Sequence, residues 1–164
     1  MKVVVTGKGG QLASELEVIK RLDSNWTFLS ESDLDITNRD FVLSYFNSIS
    51  CDLIINCAAY TAVDKAEDEQ ELAFNVNAEG TRNLLMVCEL MNAKFVHYST
   101  DYVFGGNSKI PYSELDQPNP NSVYGSSKLM GEKYILDNKD VKSLIIRTSW
   151  IYSNFGNNFV KTMI

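Results

Sequence analysis

Short apolar runs alternate with longer amphipathic segments along the whole chain. The apolar runs predict five strands, at residues 2–7, 26–30, 51–59, 94–100 and 142–149. Apolar residues that recur every three or four positions predict four helices, at residues 10–22, 37–49, 68–92 and 120–138. Thr37 is the expected N-cap of the second helix. Because the strands are continuous apolar runs, the pattern predicts an α/β fold, a doubly wound parallel sheet with helices on both faces.

Size and composition fit one soluble domain. The chain has 164 residues, of which 45% are apolar and 22% charged. No apolar run is long enough to cross a bilayer, and residues 1–10 are a poor secretory signal, so we expect a cytoplasmic protein without membrane contact. The net charge of −6 argues against nucleic acid as a partner. It leaves phosphorylated small molecules open, because a helix N-terminus can bind a pyrophosphate whatever the net charge.

Cysteine and histidine give no metal signature. Cys51, Cys57 and Cys88 are odd in number and form no CxxC pair, and two of them lie in apolar patterns. We expect small buried thiols. The single histidine, His97, falls in a predicted strand, which favours a hydrogen-bonded histidine in or near the core over a metal ligand.

Two further segments carry expectations. Residues 101–121 form the longest irregular stretch and hold all three prolines, and a loop of that length is usually functional. Residues 155–164 begin a helical pattern that runs to the last residue without a capping signal. We therefore expect a part of a longer protein, with a natural short protein and a docked terminal helix as the alternative.

The sequence VVVTGKGGQLA places a glycine-rich turn between the first strand and the first helix. Gly7 and Gly9 begin a GxG pattern, Gly10 would let a pyrophosphate approach the backbone, and Ala13 is small enough for close packing of helix on sheet. In this context the motif predicts a Rossmann-type site for NADPH or NADH. A simple tight turn is the alternative.

The end of the second strand should select the form of the cofactor. An acidic side chain there would bind a ribose 2′-hydroxyl and favour NAD, whereas serines would tolerate NADP. The chain offers Ser30, Glu31, Ser32, Asp33 and Asp35. Both cofactors therefore stay open.

Tyr124 and Lys128 are four residues apart in a predicted helix and would share one face. A free tyrosine has a pKa of about 10, and a neighbouring lysine cation should lower that value. The pair could then exchange a proton with a carbonyl or alcohol oxygen. A surface pair without function is the alternative.

Ser99 and Thr100 fall at the carboxyl end of the fourth strand, where open α/β sheets bind their ligands. A hydroxyl there could bind a substrate carbonyl beside Tyr124. By itself the pair would fit a strand-end cap equally well.

Together these features resemble the extended short-chain dehydrogenase/reductase superfamily, whose active site would correspond to Asn77, Thr100, Tyr124 and Lys128. The resemblance is greatest to the dTDP-4-dehydrorhamnose reductase family and runs along nearly the whole chain. It rests on the segments GQLA, NCAAYTAVDKAE, FNVNAEGTRNL, STDYVFGG, PYSELDQPNPNSVYGSSKLMGE and RTSWIY. Two positions depart from the usual family pattern, Ala13 and Gly105.

The resemblance implies reduction of the 4-keto group of dTDP-4-dehydro-L-rhamnose to dTDP-L-rhamnose by NADPH or NADH, in deoxysugar and polysaccharide biosynthesis. It assigns catalysis to Thr100, Tyr124 and Lys128, and substrate binding to Thr100, Asp101, Tyr102 and Trp150. It assigns cofactor binding to Gly7, Gly9, Gly10, Gln11, Leu12, Asp35, Ile36, Ala58, Ala59, Tyr60, Asn77, Tyr124 and Lys128. It allows a homodimer of the full-length protein. The residues themselves predict no metal ligands, and the sequence leaves a metal requirement open.

Related activities stay in view. Sugar dehydratases carry a glutamate after Thr-Asp, whereas this chain has Tyr102, so elimination is disfavoured. Epimerases are harder to exclude, and the regulatory β subunit of methionine adenosyltransferase resembles the same family without catalysing reduction. We expect residues 1–164 to be the NAD(P)-binding domain, able to bind dinucleotide but poor in reducing substrate.

Overall fold

The computed structural model describes all 164 residues as an α/β fold of the Rossmann type. Five parallel strands form one sheet in the order β2-β1-β3-β4-β5. The strands are β1 (Val3–Thr6), β2 (Trp26–Leu29), β3 (Leu53–Asn56), β4 (Lys94–Thr100) and β5 (Ser143–Thr148). All five predicted strands are confirmed. The strand order reverses at β1, which opens a crevice between the carboxyl ends of β1 and β3.

The helices are α1 (Gln11–Lys20), α2 (Arg39–Asn47), α3 (Val63–Ala66), α4 (Gln70–Phe74), α5 (Gly80–Met91), α6 (Val123–Asp137) and α7 (Phe159–Met163). A 3₁₀ turn, Asp101–Val103, follows β4 directly. The short helix α3 was not predicted. No helix has the length and apolar character needed to cross a membrane.

The prediction that Thr37 caps the second helix is wrong. Asn38 is the N-cap, and its side-chain oxygen accepts a hydrogen bond from the backbone N–H of Phe41 at 3.1 Å. The hydroxyl of Thr37 instead donates to Asp35 at 2.7 Å. Asparagine is at least as good a cap as threonine, so local sequence alone could not separate two adjacent candidates.

The predicted helix 68–92 is interrupted. A π-helical segment, Asn75–Glu79, lies between α4 and α5. Wider turns of this kind are uncommon and leave no mark in hydrophobic periodicity. Here the segment turns the side chain of Asn77 inward, where its amide binds both backbone groups of Tyr60.

The core lies on both faces of the sheet, as expected for a doubly wound fold. On one face α2, α5 and α6 pack around a large cluster that includes Phe95 and Leu84, both fully buried. On the other face α1 packs through Ala13 against a smaller cluster with Val3 and Val5. Helix α6 approaches the π segment very closely, because Gly131 faces the backbone oxygen of Asn77.

Alanine in place of Gly131 should destabilise the fold. A Cβ atom there would lie 2.5 Å from the backbone oxygen of Asn77, so α6 must move. We expect a loss of about 1–3 kcal/mol in the free energy of unfolding in urea, although alanine is the better helix former. Lys133→Ala, on the exposed side of α6, is the control and should change stability by less than about 0.5 kcal/mol. A more stable Gly131→Ala protein would contradict the packing argument.

Candidate active site

A cavity of about 790 Å³ opens at the carboxyl edge of the sheet. It joins the glycine turn after β1 to the ends of β3 and β4 and to the start of α6. The predicted site residues on its wall are Gly7, Gly10, Gln11, Leu12, Asp35, Ile36, Ala58, Ala59, Tyr60, Thr100, Asp101, Tyr102, Tyr124, Lys128 and Trp150. Lys8, Cys57, Tyr98 and Ser149 also line it and were not predicted as site residues from the motifs. Glu31, one of the candidates for cofactor selection after β2, lines it too. A single cavity thus holds the glycine turn together with the Tyr–Lys pair.

The glycine turn has the shape that a pyrophosphate requires. Gly7 has a φ of +78°, and a Cβ atom there would lie 2.6 Å from the backbone nitrogen of Ala58. Gly9 has a φ of +91° with no atom within 4 Å of its Cβ position. Gly10 is the N-cap of α1 and offers no side chain to the first N–H groups of that helix. These groups are left for an anionic ligand, so the turn fits a dinucleotide.

Two predicted cofactor residues do not lie on the cavity wall. Gly9, in the glycine turn, is not among the residues that line it. Asn77 is 1% exposed, and its amide is bound to the backbone of Tyr60 and to the hydroxyl of Ser127, 2.9 Å away. In this structure Asn77 therefore holds the backbone of Tyr60, a wall residue, from a buried position outside the cavity.

The acidic candidates after β2 differ in their surroundings. Asp33 accepts hydrogen bonds from the hydroxyl and the backbone N–H of Ser30, which lower its pKa. This carboxylate is therefore engaged locally. Glu31 and Asp35 lie on the cavity wall, and Asp35 is also bound to Thr37. Glu31 is thus the acidic side chain that reaches the cavity without a hydrogen-bond partner in the structure.

The expectation that Lys128 lowers the pKa of Tyr124 is wrong for this structure. Burial raises the pKa of the Tyr124 phenol, and Asp101 and Tyr102 add to that effect. The hydroxyl of Thr100 acts in the opposite direction. The reason is that the amine of Lys128 points to the backbone oxygen of Tyr98 and to His97 and makes no hydrogen bond with the phenol. At neutral pH Tyr124 is therefore a protonated phenol.

Lys128 is 2% exposed, an unusual environment for an ammonium group. Its Nζ atom donates to the backbone oxygen of Tyr98 at 2.6 Å and lies 3.3 Å from Nε2 of His97. Desolvation lowers the pKa of Lys128 to about 8, against the opposing influence of Glu132. The amine thus titrates close to neutral pH.

His97 is fully buried and hydrogen-bonded, as the sequence predicted for a core histidine. Its Nδ1 atom lies 3.2 Å from the amide nitrogen of Asn56, the last residue of β3. Asn56 also joins Thr6 of β1 and Thr81 of α5. Sequence reasoning missed Asn56, although a polar residue that ends an apolar strand was a usable signal.

The substrate side of the cavity is built around Thr100 and Asp101. The hydroxyl of Thr100 donates to Asp101 at 3.1 Å, and Ser149 donates to the other oxygen of Asp101 at 2.7 Å. The rings of Tyr102 and Tyr124 meet edge to face at 5.6 Å. Trp150 has a φ of +52°, a strained backbone for a bulky side chain.

Ser99 presents an unsatisfied group. Its side-chain oxygen is buried without a hydrogen-bond partner, and the residue lines the cavity. Such groups are rare in native structures, and a ligand is one explanation for them. No set of three or more His, Cys, Asp or Glu side chains is arranged to hold a metal ion.

The prediction of buried thiols is confirmed for Cys51 and Cys88, whereas Cys57 is only partly buried. Burial raises the pKa of Cys57 to about 12 and the pKa of Cys51 and Cys88 above the ordinary value. Although Cys57 lines the cavity, it stays a neutral thiol there.

Fold and site together define a Rossmann-type α/β domain whose candidate active site lies at the switch point of the sheet. The sequence matches the model of the RmlD substrate binding domain family over residues 1–164, and the chain belongs to that family. The resemblance inferred from the motifs is thereby confirmed.

Named relatives agree with this assignment. A dTDP-4-dehydrorhamnose reductase of Sinorhizobium fredii is 43% identical over 164 residues, which are 100% of this chain and 55% of that protein. Crystal structures of dTDP-4-dehydrorhamnose reductases from Clostridium acetobutylicum and, in complex with NADP, from Bacillus anthracis have TM-scores of 0.94 and 0.92. Both are 43% identical, and both alignments cover 99% of this chain and 58% and 59% of theirs. The chain spans little more than half the length of these relatives.

An unpredicted ion pair holds α6 to β5. Both carboxylate oxygens of Glu132, which is fully buried, accept hydrogen bonds from the guanidinium of Arg147, at 3.0 and 2.7 Å. The link raises the pKa of Arg147. Since Glu132 is one helical turn beyond Lys128, the pair fixes the part of α6 that carries the site.

Glu132→Gln should therefore destabilise the protein. It leaves Arg147 without its countercharge, which for a buried pair costs about 3–5 kcal/mol. Arg147 is partly exposed, so we expect about 3 kcal/mol in chemical denaturation. Glu17→Gln, which breaks the exposed pair with Lys8, is the control and should change stability by less than about 0.5 kcal/mol. Equal effects of the two variants would refute a structural role for the buried pair.

Proposed function

We propose that the complete protein reduces the 4-keto group of dTDP-4-dehydro-L-rhamnose to give dTDP-L-rhamnose, with NADPH or NADH as reductant. The observation that carries the proposal is the one cavity that joins the glycine turn at Gly7 and Gly10 to Thr100, Tyr124 and Lys128. A two-part cavity of this kind suits a dinucleotide at one end and a reacting carbonyl at the other. The names of the relatives supply the substrate.

The cofactor, when bound, would supply hydride to the carbonyl carbon. The residues that would hold it are those of the glycine turn and the wall formed by Ala58, Ala59 and Tyr60. Lys128, which also lines the cavity, would hold the nicotinamide ribose. Ser99 lines the same cavity, and its buried, unpartnered hydroxyl would gain a polar partner if it turned toward the cofactor.

Tyr124 would donate its phenolic proton to the substrate oxygen as that oxygen becomes an alkoxide. Its raised pKa suits this role, because the phenol is protonated at neutral pH before the reaction. Thr100 would hydrogen-bond the same oxygen. Asp101, Tyr102 and Trp150, on the wall beside Tyr124, would contact the sugar.

The setting of the reaction follows from the proposal. Reduced dinucleotide and a dTDP-sugar are cytoplasmic metabolites, so we infer a cytoplasmic enzyme that takes no nucleic acid as partner. We also infer that residues 1–164 serve as the cofactor-binding domain, and that a homodimer of the full-length protein is compatible with this role.

Tyr124→Phe should separate catalysis from binding. In the longest natural form of the protein, we expect NADPH oxidation with dTDP-4-dehydro-L-rhamnose to fall about 10²- to 10⁴-fold, because the proton donor is lost. NADPH affinity, followed by fluorescence titration, should change less than about threefold. Tyr112→Phe, outside the cavity, is the control and should retain activity.

Other outcomes of this assay decide between the alternatives. NADPH binding without turnover of the keto sugar by the native protein would contradict the reductase proposal. It would favour a regulatory subunit or another nucleotide-sugar substrate. Turnover that survives in Tyr124→Phe would exclude Tyr124 as the proton donor.

Ser99→Ala should act in opposite directions on stability and on cofactor affinity. Removal of an unpartnered buried hydroxyl breaks no hydrogen bond, so the free energy of unfolding should stay constant or rise by up to about 1 kcal/mol. NADPH should bind about three- to tenfold more weakly if the hydroxyl pairs with it. Ser143→Ala, exposed on β5, should change neither quantity. Unchanged NADPH affinity in Ser99→Ala would exclude this contact.

A further inference from the structure

The orientation of the Asn56 amide is fixed by a backbone N–H group, which can only donate a hydrogen bond and so must face the amide oxygen. The backbone N–H of Ala58 donates to Oδ1 of Asn56 at 3.1 Å, and the hydroxyl of Thr6 donates to the same oxygen at 2.7 Å. Nδ2 must therefore face Thr81 and His97. The hydroxyl of Thr81 donates to the backbone oxygen of Asn77 at 2.8 Å and is free to accept. The Asn56 amide is thus a donor toward His97.

This donor sets the tautomer of His97. Because Nδ2 of Asn56 donates to Nδ1 at 3.2 Å, Nδ1 must carry a lone pair. Burial by itself holds the pKa of His97 well below its ordinary value, so the ring is neutral and Nε2 carries its proton. That proton points toward Nζ of Lys128, 3.3 Å away.

An Nε2–H group distinguishes the two forms of Lys128. A neutral amine has a lone pair and accepts the bond. An ammonium group has only donors, so its N–H bonds would oppose the imidazole N–H. The bond from Nζ to the backbone oxygen of Tyr98 is available to both forms and leaves this difference intact.

The titratable neighbours of Lys128 lie on α6, at the end of β3 and on β4. On α6, Glu132 is paired with Arg147, and Tyr124 is a phenol with a raised pKa. From the end of β3, Cys57 is a thiol with a pKa near 12. The polar neighbours on β4 are His97 and the carbonyl of Tyr98. The pKa values of Tyr124, Cys57 and His97 are thus shifted away from neutral pH, whereas the pKa of Lys128 is shifted toward it.

We propose that His97 is a positioning residue for Lys128, because the Nε2–H that Asn56 directs at Nζ favours the uncharged amine over the ammonium. The role goes beyond the Tyr–Lys pair of the proposed reaction, and it does not depend on the substrate. The charge of Lys128 then depends on Asn56 of β3 and His97 of β4.

The first test is the tautomer of the native protein without ligand, by ¹⁵N NMR of the imidazole. We expect a protonated Nε2 and an unprotonated Nδ1. The second is the titration of Lys128 by NMR of its ¹³Cε and ¹⁵Nζ nuclei, with the signal assigned from its loss in Lys128→Met. We expect a midpoint near 8 in the native protein.

The decisive variant is His97→Asn. Its carboxamide oxygen can still accept from Asn56, but no N–H reaches Lys128, so the Lys128 midpoint should rise by about one pKa unit. Val96→Ala is the control, since Val96 packs on the opposite face of the sheet and should leave the midpoint unchanged. An Nδ1–H tautomer in the native protein would overturn the proposal even if the variant fails to fold. So would an unchanged midpoint in a folded His97→Asn protein. Neither readout needs turnover, so an error in the substrate would not affect them.

Discussion

The buried amide of Asn56 is the constraint on which the candidate site depends. It is 1% exposed, and it uses both sides of its carboxamide to join β1, β3, β4 and α5. A buried amide that lost any of these partners would leave an unsatisfied polar group, at about 1–3 kcal/mol each. The amide thereby links the strand ends that form the cavity. An apolar residue at this position could pack, but it could not fix the direction of the neighbouring imidazole.

The site works against the usual preferences of its ionisable groups. Burial raises the pKa of Tyr124 and lowers the pKa of Lys128, so both side chains are shifted toward their uncharged forms. In water the two values lie close together above neutrality. In the cavity they move apart, and the amine becomes the group that changes charge near neutral pH. Tyr124 and Lys128 share one helical face, and burial shifts their pKa values in opposite directions.

Sequence reasoning was sufficient where the signal was local. The five strands follow from apolar runs, and the cavity residues at the glycine turn and at Tyr124 follow from spacing. It failed in the local choice between Thr37 and Asn38 as the cap of α2, and where the determinant was a contact between distant segments. The π segment at Asn75–Glu79 exists beside Gly131, more than fifty positions away, and the pKa of Tyr124 depends on burial that only the assembled fold supplies.

Two kinds of contact hold α6 in place, close packing at Gly131 and a buried ion pair at Glu132. At Gly131 the absence of a side chain lets the helix reach the π segment, and at Glu132 the next residue ties it to β5 through Arg147. Lys128 lies one turn before Glu132 on the same helix, and its long side chain reaches His97 and the backbone oxygen of Tyr98 on β4. A shift of α6 by a fraction of a turn would break the Nζ contacts on β4 before it disturbed the apolar core. The precision of the site therefore rests on the two anchors of α6, whereas the hydrophobic clusters supply the general stability of the fold.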